Sequence, residues 1–193
     1  SVSEAQVDDV ARRLLQYQVD GLIVVSARPT AVFVAECDAI GVPLGLVNRH
    51  PPGPGASSIT CDNAQIGRDI VKLLVNAGYR RLALVRGDPQ VLTGVERTEA
   101  IQAMVAESKD TRLVADRTDC LGYAAGREVI SELWQSADRP DAVICSSDPT
   151  ALGILDGARR DLSIDVPGEL AVVGLGDIPQ AGWAAYGLTT VHL

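Results

Sequence analysis

The feature that most restricts this chain is a rhythm. "DGLIVVS" (Asp20–Ser26), "PLGLVN" (Pro43–Asn48), "RLALVRG" (Arg81–Gly87), "DAVICSS" (Asp141–Ser147) and "ELAVVGLG" (Glu169–Gly176) are near-continuous apolar runs of strand length. Runs without polar alternation suit parallel strands buried on both faces. Segments of helical period lie between them. The pattern predicts helices over about Glu4–Gln18, Thr30–Ile40, Asn63–Asn76, Gly94–Glu107, Leu121–Gln135 and Pro149–Asp161. Shorter runs, "SITC" (Ser58–Cys61) and "TRLVAD" (Thr111–Asp116), complete the alternation. Val7, Val10 and Leu14 form the expected apolar stripe of the first helix, with Ser3 and Gln6 placed as a capping box. Gly78 is placed to close the third helix, and "RHPPGPGASS" (Arg49–Ser58) is too rich in proline for either element.

Strands alternating with helices of this length imply right-handed βαβ units. The expected fold class is therefore α/β, with two Rossmann-like lobes. The boundary is expected near Asn76–Arg80, which gives a first lobe over residues 1–77 and a second over residues 78–193. Open α/β sheets bind ligands outside the C-terminal ends of their strands. That rule alone selects Ser26, Asn48, Arg49, Asp62, Gly87, Asp88, Asp116, Arg117, Ser147, Asp148, Gly176 and Asp177.

Composition narrows the function classes. The chain has 193 residues and a net charge of −8, so it lacks the basic surface needed to grip nucleic acid or anionic membrane by itself. Cys37, Cys61, Cys120 and Cys145 form no CxxC pair and read as small core residues of a reducing, cytoplasmic protein. No apolar run approaches the ~20 residues of a membrane span, and nothing resembles a signal peptide.

"VVGLGD" (Val172–Asp177) invites a dinucleotide reading, but the third glycine of that fingerprint is replaced by Pro179. There is no GxxxxGK[ST] loop and no GxSxG elbow. A His-based relay or metal site would have to use His50 or His192, and both read as exposed bystanders. Asp62, Asp116, Asp148 and Asp177 fall on different strands, and helix capping is the favoured reading of Asp148. No catalytic residue, metal or cofactor is assigned, and the expected protein is not an enzyme.

A series of runs then appears in order: "VDGLIVVS", "GVPLGLVNR", "CDNAQIGRDIVKLLVNAGYRRLALVRGDP", "ERTEAI", "LGYAAGREVISEL", "DAVICSSDPTALGIL", "VPGELAVVGLGD" and "LTTV". The series covers essentially the whole chain and resembles the effector-binding core of LacI/GalR-type bacterial transcriptional regulators. The resemblance implies a periplasmic-binding-protein-like fold whose two lobes close over a sugar or similar small molecule. It further implies a homodimer, in which the effector alters operator binding by shifting the population of open and closed forms. The alternative with the same fold is a solute-binding protein of a sugar transporter.

Carried over by position, the resemblance makes Asp62, Arg97, Arg117, Ser147, Asp148 and Asp177 the ligand-binding candidates. Arg97 stands where the family has an arginine whose planar fork can bind two oxygens at once. Three positions depart from the family pattern. Arg117 replaces an expected aromatic, Ser147 an asparagine, and Gly176 an aspartate. Arg97 and Arg117 together suggest an anionic effector such as a sugar phosphate; the alternative is an Arg117 that points into solvent. The resemblance also implies a DNA-reading headpiece before this sequence, further strands after it and, for the part given, an incomplete first lobe. A lobe lacking strands would expose sheet edges, so self-association is expected.

Overall fold

The computed structural model describes residues 4–89 and 91–193. It divides into two compact units, the first ending at Asp62 and the second running from Asn63 to Leu193.

The first unit is a three-stranded parallel sheet with two helices. Helix α1 (Glu4–Leu15) leads to β1 (Leu22–Val25), α2 (Ala31–Ala39), β2 (Leu44–Val47) and β3 (Ser57–Ile59). The sheet order is β1-β2-β3, with Leu22 beside Leu44 and Gly45 beside Ser57. Its core joins Ala11, Leu22, Phe33, Val34, Cys37, Leu44 and Leu46.

The buried face of α1 differs from the expected stripe. Val10 and Leu14 are exposed, while Asp8 and Ala11 are buried. The physical reason is a cap. The Asp8 carboxylate accepts from the Thr30 backbone N–H at 3.0 Å and from Thr30 Oγ1 at 2.5 Å. Thr30 Oγ1 in turn accepts from the Phe33 N–H and caps α2. Satisfying the start of α2 thus rotates α1. The expected capping partner Ser3 lies outside the described residues.

The second unit contains α3 (Asn63–Asn76), β4 (Arg81–Val85), α4 (Leu92–Glu107), β5 (Arg112–Arg117), α5 (Tyr123–Gln135), β6 (Ala142–Cys145), α6 (Asp148–Asp156), β7 (Ala171–Leu175) and β8 (Thr189–Val191). A π-helical turn, Gly157–Asp161, extends α6, and a 3-10 turn, Pro179–Gly182, follows β7. The five strands are all parallel in the order β5-β4-β6-β7-β8.

Both faces of this sheet are covered, which explains its unbroken apolar strands. Ala83, Val85, Val143, Cys145 and Val172 face α5 and α6. The alternating residues Leu82, Leu84, Ala142, Ile144, Ala171 and Val173 face α3 and α4. Ile70, Val71 and Leu74 of α3 join that second cluster. Helix α3 therefore belongs with the second unit, and the division falls after Asp62 instead of at residues 77 and 78. Composition does not mark this point, because the apolar face of α3 would suit either sheet.

Candidate functional site

Chain order and sheet order diverge between β4 and β6: β4 is followed on one side by β5 and on the other by β6. Such a switch point opens a crevice at the C-terminal strand ends. Its rim here is formed by the residues that follow β4 and β6. Gly87 donates its backbone N–H to Ser146 Oγ at 3.2 Å, joining the two strand ends. A methyl group on Gly87 would overlap the Leu121 side chain from the loop after β5.

Arg97 lies on α4 and is only 9% exposed. Its Nη2 donates to Asn63 Oδ1 at 2.6 Å, and Asn63 Nδ2 donates to Glu96 Oε2 at 3.3 Å. The first residue of α3 therefore orients the guanidinium of α4. Helices α3 and α4 approach closely at this point, since a methyl group on Gly67 would press on the Arg97 carbonyl.

Two further arginines at the strand ends meet acids. Arg86 makes a two-pronged pair with Asp116, Nε to Oδ1 and Nη2 to Oδ2, both at 2.8 Å. These hydrogen bonds raise the Arg86 guanidinium above its usual pKa, against the opposing effect of burial. Arg117 lies 3.8 Å from Glu132 on α5 and is partly exposed. Both side chains of this pair are open to solvent, at 43% and 68% exposure.

Ser147 is the N-cap of α6, with its Oγ 2.9 Å from Thr150 Oγ1. Asp148 is fully buried, at 0% exposure. Its Oδ1 accepts from Thr190 Oγ1 at 2.6 Å and its Oδ2 from the Ile178 N–H at 2.9 Å. Both oxygens thus face the chain's own donors. Asp177 is more open, with Oδ2 3.0 Å from Nδ1 of the exposed His192. Its N–H donates to Thr190 Oγ1 at 3.3 Å. Ser147, Asp148 and Asp177 are thereby drawn together, and His192, expected to be a bystander, has a partner. Among the described residues, the acidic, histidine and cysteine side chains form no group of three able to hold a metal ion.

In the first unit, Ser26 after β1 and Asn48 after β2 adopt left-handed backbone, with φ of 56° and 58°. Non-glycine residues held in this region are often found at functional sites. Arg49 Nη1 donates to the Asn48 carbonyl at 2.8 Å, while its buried Nε has no hydrogen-bond partner. Burial, with the nearby positive charge of Arg28 added, holds the Arg49 guanidinium below its usual pKa. Asp62 is exposed at the end of this unit.

The cysteines divide. Cys37 and Cys145 are buried core residues, but Cys61 is exposed, unlike the core role expected of it. Burial pushes the Cys145 thiol well above its usual pKa.

The strand-end rule missed Arg86, Asn63 and Thr190. Arg86 was one residue away, because β4 ends at Val85 and not at Gly87. Asn63 directly follows Asp62 in "CDN", and Thr190 sits in "LTTV"; both were visible as polar residues at element starts or strand interiors.

Comparison with known proteins gives a consistent result. Residues 71–193 match the family described as periplasmic binding protein-like domain. Catabolite control protein A of Priestia megaterium is 28% identical over 83% of this chain and 49% of its own length. The HTH-type transcriptional regulator CelR of Thermobifida fusca is 32% identical over 90% of this chain and 52% of its own. The chain thus spans about half the length of these curated relatives. The structure of a LacI family transcriptional regulator from Lactobacillus casei with bound sucrose has a TM-score of 0.84 and 29% identity. That match covers 98% of this chain and 70% of the other. With two parallel α/β units, a reversal of strand order between β5 and β6 in the second, and these relatives, the chain belongs to the periplasmic binding protein-like domain family, alongside the LacI-type regulators.

Proposed function

We propose that this chain is the ligand-sensing domain of a DNA-binding transcriptional regulator, and that it works by binding and not by catalysis. The observation that carries the reading is Arg97, a buried arginine on the helix that follows β4, whose fork is oriented by Asn63. A guanidinium whose rotamer is already fixed by a hydrogen bond forfeits little side-chain freedom when a ligand binds. Curated relatives are named as regulators, which supports this reading over a transporter's solute-binding protein.

In the second unit the proposed ligand groups are Arg97, Arg117, Ser147 and Asp177; in the first unit, taken by itself, they are Asp62 and the Arg49 Nε. Asp148 is assigned a holding role, because both its oxygens are taken. The pairing of Arg86 with Asp116 and of Arg117 with Glu132 lowers the net positive charge of the second unit's rim. It favours a neutral sugar over the anionic effector suggested by the arginines alone. DNA contact is assigned to a headpiece outside this chain, in keeping with the charge of −8. A cytoplasmic homodimer is the proposed assembly.

A thermal-shift screen tests the reading, because a ligand that binds only the native state raises its melting temperature. Neutral sugars, sugar phosphates and nucleobases form the panel. A neutral sugar is expected to raise the melting temperature, and Arg97→Ala to abolish the rise. No shift with any of them, or a shift from sugar phosphates alone, would overturn the sensor or the neutral-ligand reading respectively.

A further inference from the structure

We propose that Asp148 is a positioning residue: it holds Asp177 and the turn at residues 176–178 in their rim-facing geometry and locks them to β8 through Thr190. The proposal rests on reading this rim as the effector site. The Asp148 carboxylate is sealed from solvent, with one oxygen on the Thr190 hydroxyl and the other on the Ile178 N–H. A hydroxyl has one proton to give. Having given it to Asp148, Thr190 Oγ1 turns a lone pair toward Asp177 and accepts its N–H. One carboxylate therefore fixes the polarity of a short relay, Asp148 to Thr190 to Asp177, and also pins the next amide along.

The turn it restrains has a costly conformation. Gly176 and Asp177 have φ of 133° and 54° in succession. Only glycine adopts the first readily, and an aspartate persists in the second when its surroundings impose it. The restraint comes from below, from Asp148, and from the side, where Gly176 donates its N–H to the Val191 carbonyl. "VVGLGD" thereby acquires a physical reading. Gly174 carries no side chain because the Asp148 carboxylate occupies that space, and Gly176 carries none because the chain reverses there. The result aims Asp177 outward, where its carboxylate meets His192.

The chain has two histidines, one in each unit, so their ring resonances form a local probe with an internal control. Asp148→Asn keeps the shape but replaces one acceptor oxygen by an amide NH2, which donates and cannot accept. Thr190→Val removes the hydroxyl with little change of volume. In both variants the His192 ring signals are expected to move toward those of Asp177→Asn, which loses the pair directly. Amide exchange at Asp177 and Ile178 should quicken by about tenfold or more. His50 signals and the β4 amides should stay as in the parent. A folded Asp148→Asn protein with unchanged His192 signals and unchanged exchange at 177 and 178 overturns the proposal. If that variant does not fold, Thr190→Val decides on the same readouts. General loss of β4 protection in Thr190→Val would mark Asp148 as merely structural and also overturn it. No ligand is needed, so a failed ligand screen would sink the sensor reading while this measurement still reported on the relay.

Discussion

Gly174 shows how a single absent side chain serves the rim. A methyl group there would overlap Asp148 Oδ1 and crowd Leu188 Cδ2. Overpacking of this kind costs ~1–3 kcal/mol, and displacing a hydrogen-bonded carboxylate adds to it. Gly174→Ala should therefore lose at least about 2 kcal/mol in urea unfolding. A loss within ~0.5 kcal/mol would mean that Asp148 can move without consequence. The sequence favoured a helix-capping role for Asp148; in the structure Ser147 holds the N-cap position, and the Asp148 carboxylate instead accepts from Thr190 and Ile178. Asp148 and Asp177 are both aspartates at strand ends, and only the packing of β8 beside β7 distinguishes the buried one from the open one. Arg117 was legible as a charge, while its pairing with Glu132 depended on α5 lying over β5.

At the scale of elements, the two sheets are treated differently. The second is covered on both faces by pairs of helices. Helices α5 and α6 come so close that methyl groups on Gly126 and Gly153 would overlap the Thr150 and Tyr123 carbonyls respectively. In the first sheet, α1 and α2 contribute to one core, and Ile23, Val25 and Ile59 remain 76%, 63% and 69% exposed. Clustered apolar exposure of this kind binds apolar probes. The chain is expected to enhance fluorescence of the dye ANS while folded, and Ile23→Ser with Ile59→Ser to remove most of the enhancement. Equal fluorescence from parent and double variant would place the dye elsewhere. Element types and most bounds were readable from the sequence, and the predicted Asn63–Asn76 helix agrees with α3. The face that each helix buries was less readable. Asp8 turned α1 because a helix two elements away needed a cap, a demand that periodicity cannot register.

For the whole molecule, the consequence of two units is two unequal cores. The first holds seven buried apolar residues around one sheet face, among them Phe33 at 0% exposure. The second holds two larger clusters, one on each face. Less apolar area buried means less stabilisation, so the first unit is expected to melt first in calorimetry. Phe33→Ala should cost ~3–5 kcal/mol and lower the first transition alone. A single transition shifted as a whole would show that the cores unfold together.

The sequence by itself determined that the chain builds parallel α/β sheets, where their strands run, and which strand ends could meet a ligand. Those properties follow from local periodicity and from the geometry common to all such sheets. Only the tertiary structure decided that α3 joins the second unit, that Arg97 is oriented by Asn63, and that Asp148 holds what Asp177 presents. Each depends on pairing residues far apart in the chain, where burial and hydrogen-bond satisfaction, and not residue type, assign the role.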